Sequence, residues 1–164
     1  MKLIQKTKIN YLFVISITIF LSWAYFSNNS DNRFVSATNN AIESVVSVYS
    51  FSGSRTFSEN NIGSGVIFSE DGYIVTNSHI INKNKIIRVK LHSGEEFDAN
   101  LIGSDANADI AILKINTNKM LKPINISNSD DIKIGDKVLA IGNPYGIGIS
   151  VSGGIISATP NVVS

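Results

Sequence analysis

Between residues 44 and 115 the chain is a succession of short runs rich in β-branched residues, each set off by turn-forming residues. The runs are SVVSVYSF from Ser44, GSGVIF from Gly63, GYIVT from Gly72, KIIRVKLH from Lys85, EFDANLIG from Glu96 and DIAILKI from Asp109. Successive side chains of a strand point to opposite faces, so runs of this length and composition suit strands, and no amphipathic pattern of useful helical length lies among them. SEDG at residues 69–72 and HSGEE at residues 92–96 carry the glycine and small polar residues of tight turns, and each is expected to join two strands as a hairpin. Six strands at this spacing, in a chain that is 43% apolar, predict an all-β barrel or sandwich with a core of about one ordinary domain.

A second group of apolar runs follows the polar stretch NISNSDDIKIGD at residues 125–136. KVLAIGNPYG and ISVSGGIISATP read as two further strands, which divides the β-rich part into units at 41–126 and 127–164. Two strands cannot close a barrel or bury both of their faces. The second unit is therefore expected to be incomplete.

At the N-terminal end, INYLFVISITIFLSWAYF at residues 9–26 carries no charge and follows Lys2, Lys6 and Lys8. As a helix its 18 residues reach about 27 Å, close to the apolar thickness of a bilayer. Trp23 and Tyr25 suit the membrane interface, and the lysines assign residues 1–8 to the cytoplasmic side. A single transmembrane signal-anchor at 9–26 is expected, with a polar linker at 27–40. The competing reading is a signal peptide cut near Ala37, after the small residues of VSA at 35–37. Either way the β-rich part is exported.

Fourteen Lys and Arg against thirteen Asp and Glu give a net charge of +1 with no basic stripe, which sets nucleic acid aside as a partner. The chain has no cysteine, which excludes thiolate catalysis, Cys-ligated zinc and disulfides.

The chemistry-bearing candidate is His79, in GYIVTNSHII, directly after a predicted strand. A lone histidine there reads equally as a packed or solvated residue. Asp105 and Asp109 lie at the mouth of a later strand, in DANADIAILKI. A carboxylate at a strand start can orient an imidazole by accepting from its Nδ1–H, as acyl transfer requires of a general base. Asp105 is expected to be a turn residue, and His92 a solvated one in its hairpin turn.

GSGVIFSEDGYIVTNSHII, SDANADIAILKI and GDKVLAIGNPYGIGISVSGGIISATP, in this order and at these separations, resemble consecutive signatures of the HtrA (Deg) serine proteases. The similarity covers about residues 41–160, and the N-terminal apolar segment with the short loop between Phe51 and Ile62 points to membrane-tethered members of that family. The resemblance implies a chymotrypsin/trypsin-like double β-barrel, the first barrel complete and the second incomplete, with the site in the cleft between them. It implies His79 as general base and Asp109 as orienting acid. It also implies protein or peptide substrates, a homotrimer, and an inner-membrane anchor with the β domain in the bacterial periplasm. The family mechanism needs no metal, nucleotide or prosthetic group.

The family's nucleophilic serine lies in a Gly-Asn-Ser-Gly-Gly-like loop of the second barrel, and no such motif occurs in these 164 residues. Ser152, in VSGG, matches an early second-barrel strand instead, where its glycines are expected to allow a bulge or a close backbone approach. Ser64, in GSG, matches a structural position. Two functional readings follow. One is the N-terminal part of a membrane-tethered serine endopeptidase of the envelope stress response, cleaving a membrane anti-sigma factor, and inactive alone for want of the nucleophile loop and the family's PDZ domain. The other is a catalytically dead, membrane-tethered binding or oligomerisation module.

Overall fold

The computed structural model describes residues 15–24, 33–51, 61–81, 86–144 and 148–159. The chain divides into two units, Met1–Ala37 and Thr38–Ser164.

In the first unit residues 15–24 are helical. The predicted span at 9–26 is thus described over ten residues, about 15 Å of helix, and its remaining residues lie outside the described ones. Among the described residues no helix is long and apolar enough to cross a membrane. Residues 33–41 are also helical, where a polar linker is expected over 27–40, and residues 27–32 of that stretch lie outside the described ones. Phe34, Thr38 and Ala41 recur there at helical spacing, a pattern that the Asn- and Ser-rich composition obscures.

The second unit holds the predicted strands. They are β1 (Val45–Phe51), β2 (Asn61–Ile67), β3 (Tyr73–Thr76), β4 (Ile86–Lys90), β5 (Glu96–Asp105), β6 (Ile110–Ile115), β7 (Lys137–Gly142) and β8 (Ser150–Ile155). The first six close into an antiparallel barrel in the order β1-β2-β3-β6-β5-β4. Both hairpins form where the turn residues place them. Ile67 pairs with Ile74 across the 69–72 turn, and Lys90 with Glu96 across the 92–96 turn. Gly72 has φ +100°, a conformation glycine adopts without steric cost, and its N–H donates to the Ser69 carbonyl at 3.3 Å to close the turn.

Alternation along the strands builds the core. Val46 and Val48 of β1, Ile67 of β2, Ile74 of β3, Ile87 and Val89 of β4, and Leu113 and Ile115 of β6 point inward and are buried, with Leu91 beside them. Gly65 also faces inward, where a methyl group in its place would stand 2.8 Å from Ile74 Cγ2 and 3.0 Å from Val48 Cγ2. Its missing side chain is the space those two residues occupy.

β5 is longer than its apolar run suggests, because its polar end continues to pair with β6 as far as Asp105, opposite Ile110. Its register shifts between Leu101 and Gly103, leaving Ile102 as an extra residue that is 56% exposed. A bulge of this kind bends a strand and sharpens its twist, which helps a six-stranded sheet curl onto itself.

β7 and β8 form a separate two-stranded antiparallel sheet. Gly153 and Gly154 pair in regular register with Leu139 and Val138, so the expected bulge is not formed. Neither glycine is closely approached: a methyl group on Gly153 would lie 3.8 Å from Leu139 Cδ2, and one on Gly154 would meet nothing. β8 is exposed along its length, so nothing in the described fold presses on them.

The packing predicts two stability losses, to be read from urea unfolding midpoints. Leu113→Ala, which empties a fully buried site, costs about 2–5 kcal/mol. Gly65→Ala adds a methyl group to a full interior and costs about 1–3 kcal/mol.

Candidate active site

Pairing between β3 and β6 sets the geometry. Thr76, the last residue of β3, is opposite Ala111 near the start of β6. The chain leaving β3 and the chain entering β6 therefore meet at one end of the barrel, and residues thirty apart in sequence come into contact. Thr76 Oγ1 donates to the Ser64 carbonyl at 2.8 Å, which ties the exit of β3 to β2.

Beyond β3 the backbone makes one 3-10 turn, Ser78–Ile80, closed by the Ile81 N–H donating to the Ser78 carbonyl at 3.0 Å. Ile80 lies over Gly63, where a methyl group would stand 2.8 Å from Ile80 Cδ1. That contact seats the turn against β2 and presents His79. Asn61 Nδ2 donates to the His79 carbonyl at 3.4 Å.

His79 Nδ1 lies 2.7 Å from Asp109 Oδ2, and the His79 main-chain N–H donates to Asp109 Oδ1 at 3.0 Å. One carboxylate thus grips both the backbone and the ring of one histidine. Asn77 Nδ2 donates to Asp109 Oδ2 and to the Asp109 carbonyl, each at 3.1 Å. Asp109 has φ +53°, the left-handed region that costs a non-glycine residue about 1 kcal/mol and that aspartate visits more readily than most.

These donors hold the Asp109 carboxyl below its ordinary value of 3.8: the His79 main-chain N–H first, then the His79 ring, with Asn77 as a smaller contributor. An ionised carboxylate can only accept. The Nδ1 that faces it therefore carries the proton, which in the neutral ring leaves the lone pair on Nε2. The His79 side chain is 65% exposed, so that nitrogen is open to solvent and to an approaching substrate. This is the arrangement in which an imidazole takes up a proton as general base while the carboxylate stabilises the resulting cation.

The other residues singled out from sequence lie apart from this pair. Asp105 Oδ1 accepts from the Asn107 and Ala108 N–H groups at 2.8 and 3.2 Å, the turn role expected of it. His92 is exposed in its turn. Ser152 lies mid-strand in β8, opposite Ala140. Ser64 joins the barrel to the second sheet: its Oγ accepts from the Asn143 N–H at 2.7 Å, and Asn143 Nδ2 donates to Ser47 Oγ at 2.8 Å. A methyl group on Gly142 would come within 2.9 Å of Ser64 Oγ, so the two segments meet only because that position has no side chain.

Sequence reasoning missed Asn77 and Asn143. Both are polar residues just past the end of a strand, a position where an amide is equally common as a solvated turn residue.

Among the described residues no group of His, Cys, Asp and Glu could hold a metal ion. The pair at the end of the barrel is a histidine ring oriented by a carboxylate, the geometry that a general base needs. Residues 63–163 match the family model described as a trypsin-like peptidase domain. The chain belongs to the trypsin-like peptidase family, in its HtrA branch. It is 45% identical over 144 residues to serine endoprotease DegS of Haemophilus influenzae, covering 81% of this chain and 41% of that protein. It is 46% identical over 131 residues to serine endoprotease DegS of Escherichia coli, covering 77% of this chain and 37% of that one. Periplasmic serine endoprotease DegP of Escherichia coli is 45% identical over 98 residues, 59% of this chain and 21% of that protein. The chain thus spans between about a fifth and two fifths of these relatives.

The lowered Asp109 value carries a sign. A carboxyl whose folded value lies below its unfolded one adds stability above the unfolded value, and that stability is lost as pH falls through the folded value. A carbon-13 titration of the Asp109 carboxyl is expected to give a midpoint below 3.8, with the His79 contact intact throughout the neutral range.

Proposed function

We propose that this chain is the N-terminal portion of a DegS-like, membrane-tethered serine endopeptidase. His79 is its general base and Asp109 its orienting acid. The observation that carries this reading is the 2.7 Å contact between His79 Nδ1 and Asp109 Oδ2, on a closed six-stranded barrel of the trypsin-like kind.

In the proposed reaction His79 Nε2 accepts the proton of a serine hydroxyl as that oxygen attacks the substrate carbonyl, and later delivers it to the leaving amine. The Asp109 carboxylate stabilises the imidazolium formed between these steps. The serine and the N–H groups that bind the oxyanion would come from a second-barrel loop that these 164 residues do not contain. Without them the base alone supplies little, because the triad acts as a unit and one oxyanion donor is worth about 10²–10³ in rate. We accordingly take the chain alone to be inactive.

The uncharged segment at 9–26 after Lys2, Lys6 and Lys8 supports an inner-membrane tether. The relatives named periplasmic support a periplasmic site for the barrel. Envelope stress signalling by cleavage of a membrane anti-sigma factor, and assembly as a homotrimer, are the finer parts of this proposal and rest on the family resemblance.

A fluorophosphonate probe, which reacts only with an activated serine, tests the reading. The 164-residue chain is expected to remain unlabelled. A protein translated from the reading frame continued past the Ser164 codon is expected to label at a serine in a Gly-Asn-Ser-Gly-Gly loop. His79→Ala in that protein should lower peptide hydrolysis by on the order of 10⁶, and Asp109→Asn by about 10⁴. Labelling of Ser152 in the chain alone would overturn this assignment.

A further inference from the structure

We propose that Asn77 is a positioning residue for the His79–Asp109 pair, its side-chain amide holding the Asp109 main chain and carboxylate together so that each carboxylate oxygen meets one nitrogen of His79. The proposal rests on the reading of His79 and Asp109 as base and orienting acid. Asn77 Nδ2 has two hydrogens and two partners here, the Asp109 carbonyl and Asp109 Oδ2, each at 3.1 Å. Both partners are acceptors, so the amide can face them only through its nitrogen, and its orientation is fixed by chemistry rather than by choice.

The two bonds act on different torsions. The bond to the carbonyl secures the main chain of a residue that sits at φ +53°. The bond to Oδ2 steadies the side chain, which leaves Oδ1 aimed at the His79 N–H at 3.0 Å and Oδ2 at Nδ1 at 2.7 Å. The site is open to water, with side-chain exposures of 65% for His79 and 42% for Asp109. An exposed carboxylate held by only one partner gains little from it and reorients readily. A donor supplied by the end of β3 therefore gives the acid a second anchor, on the strand that carries the base.

Asn77 acts through Asp109 and need touch no substrate, so the decisive measurement is the histidine tautomer rather than rate. His79 and His92 are the chain's two histidines, which makes ring nitrogen-15 spectra of the full chain in a mild non-ionic detergent readable, with exposed His92 as the internal reference. At a pH where both rings are neutral, His79 is expected to be mainly the Nδ1–H form and His92 the Nε2–H form that free imidazole favours. Asn77→Asp keeps the shape but replaces the donor with a like charge beside Asp109. It should shift the His79 ratio several-fold toward Nε2–H, and Asn77→Ala should move it the same way by less. Strand amide resonances report whether each variant has folded.

Asp109→Asn should convert the ratio by itself, and adding Asn77→Ala to it should change nothing further, as expected of residues acting in series. If folded Asn77→Asp and Asn77→Ala both keep the wild-type ratio while Asp109→Asn alters it, Asn77 does not position the pair and the proposal fails alone. If Asp109→Asn also leaves the ratio unchanged, the His79–Asp109 pairing itself is wrong and the proposal falls with it.

Discussion

Antiparallel pairing of β3 with β6 does two jobs at once. It joins strands that are not neighbours in the chain, with β4 and β5 intervening, and together with the β1–β4 pairing closes the sheet into a barrel. It also brings the end of one strand and the start of another to the same rim, which is where His79 and Asp109 meet. Its register is secured by burial. Ile74 and Thr76 on β3 and Ala111, Leu113 and Ile115 on β6 face inward, so a slip of either strand by one residue would turn its whole inward set to solvent. The packing that stabilises the fold is therefore the same packing that sets the distance between base and acid.

Beside the apolar seat of Ile80 over Gly63, the rim carries a series of short polar contacts. Thr76 reaches the Ser64 carbonyl, Ser64 receives the Asn143 N–H, and Asn143 reaches Ser47. Hydrogen bonds prescribe direction as well as distance, which apolar packing does not. The segment leaving β7 is thereby held to the barrel by groups buried or half-buried on β1 and β2, and β2 adjoins β3, the strand that presents the histidine turn. In the proposed enzyme, the part of the chain that continues beyond β7 would take its position relative to His79 from these contacts.

Much of the architecture was legible in the chain. All six barrel strands, both hairpin turns and the two strands of the second sheet follow from alternation and turn residues, because those signals are local and a strand's own side chains carry them. The signals failed where a neighbour decides. β5 runs on past its predicted end at Gly103 through Ser104 and Asp105, which have no apolar pattern, because β6 offers them a partner. Gly153 and Gly154 suggested a bulge, but a regular partner on β7 accommodates them as ordinary strand residues. The helix at 33–41 was hidden by a composition that suits linkers equally well.

Of the site, the sequence alone determined which residue types are present and in what order: a histidine after one strand, an aspartate before another, no cysteine, and no Gly-Asn-Ser-Gly-Gly loop within these residues. It also determined that the fold would be all β, since a period of two leaves a chain few other ways to bury its apolar face. What the tertiary structure alone decided is the contact itself: Asp109, the acid that the family resemblance implied, meets the histidine, and Asp105 does not. Both are acids at the mouth of one strand, four residues apart. Asp105 turns its carboxylate back onto the N–H groups of its own loop, while Asp109, in the left-handed conformation, turns its own across to the strand beside it. The sequence suggested the turn role of Asp105 but not these geometries, because they depend on which donors the closed barrel sets within reach of each acid.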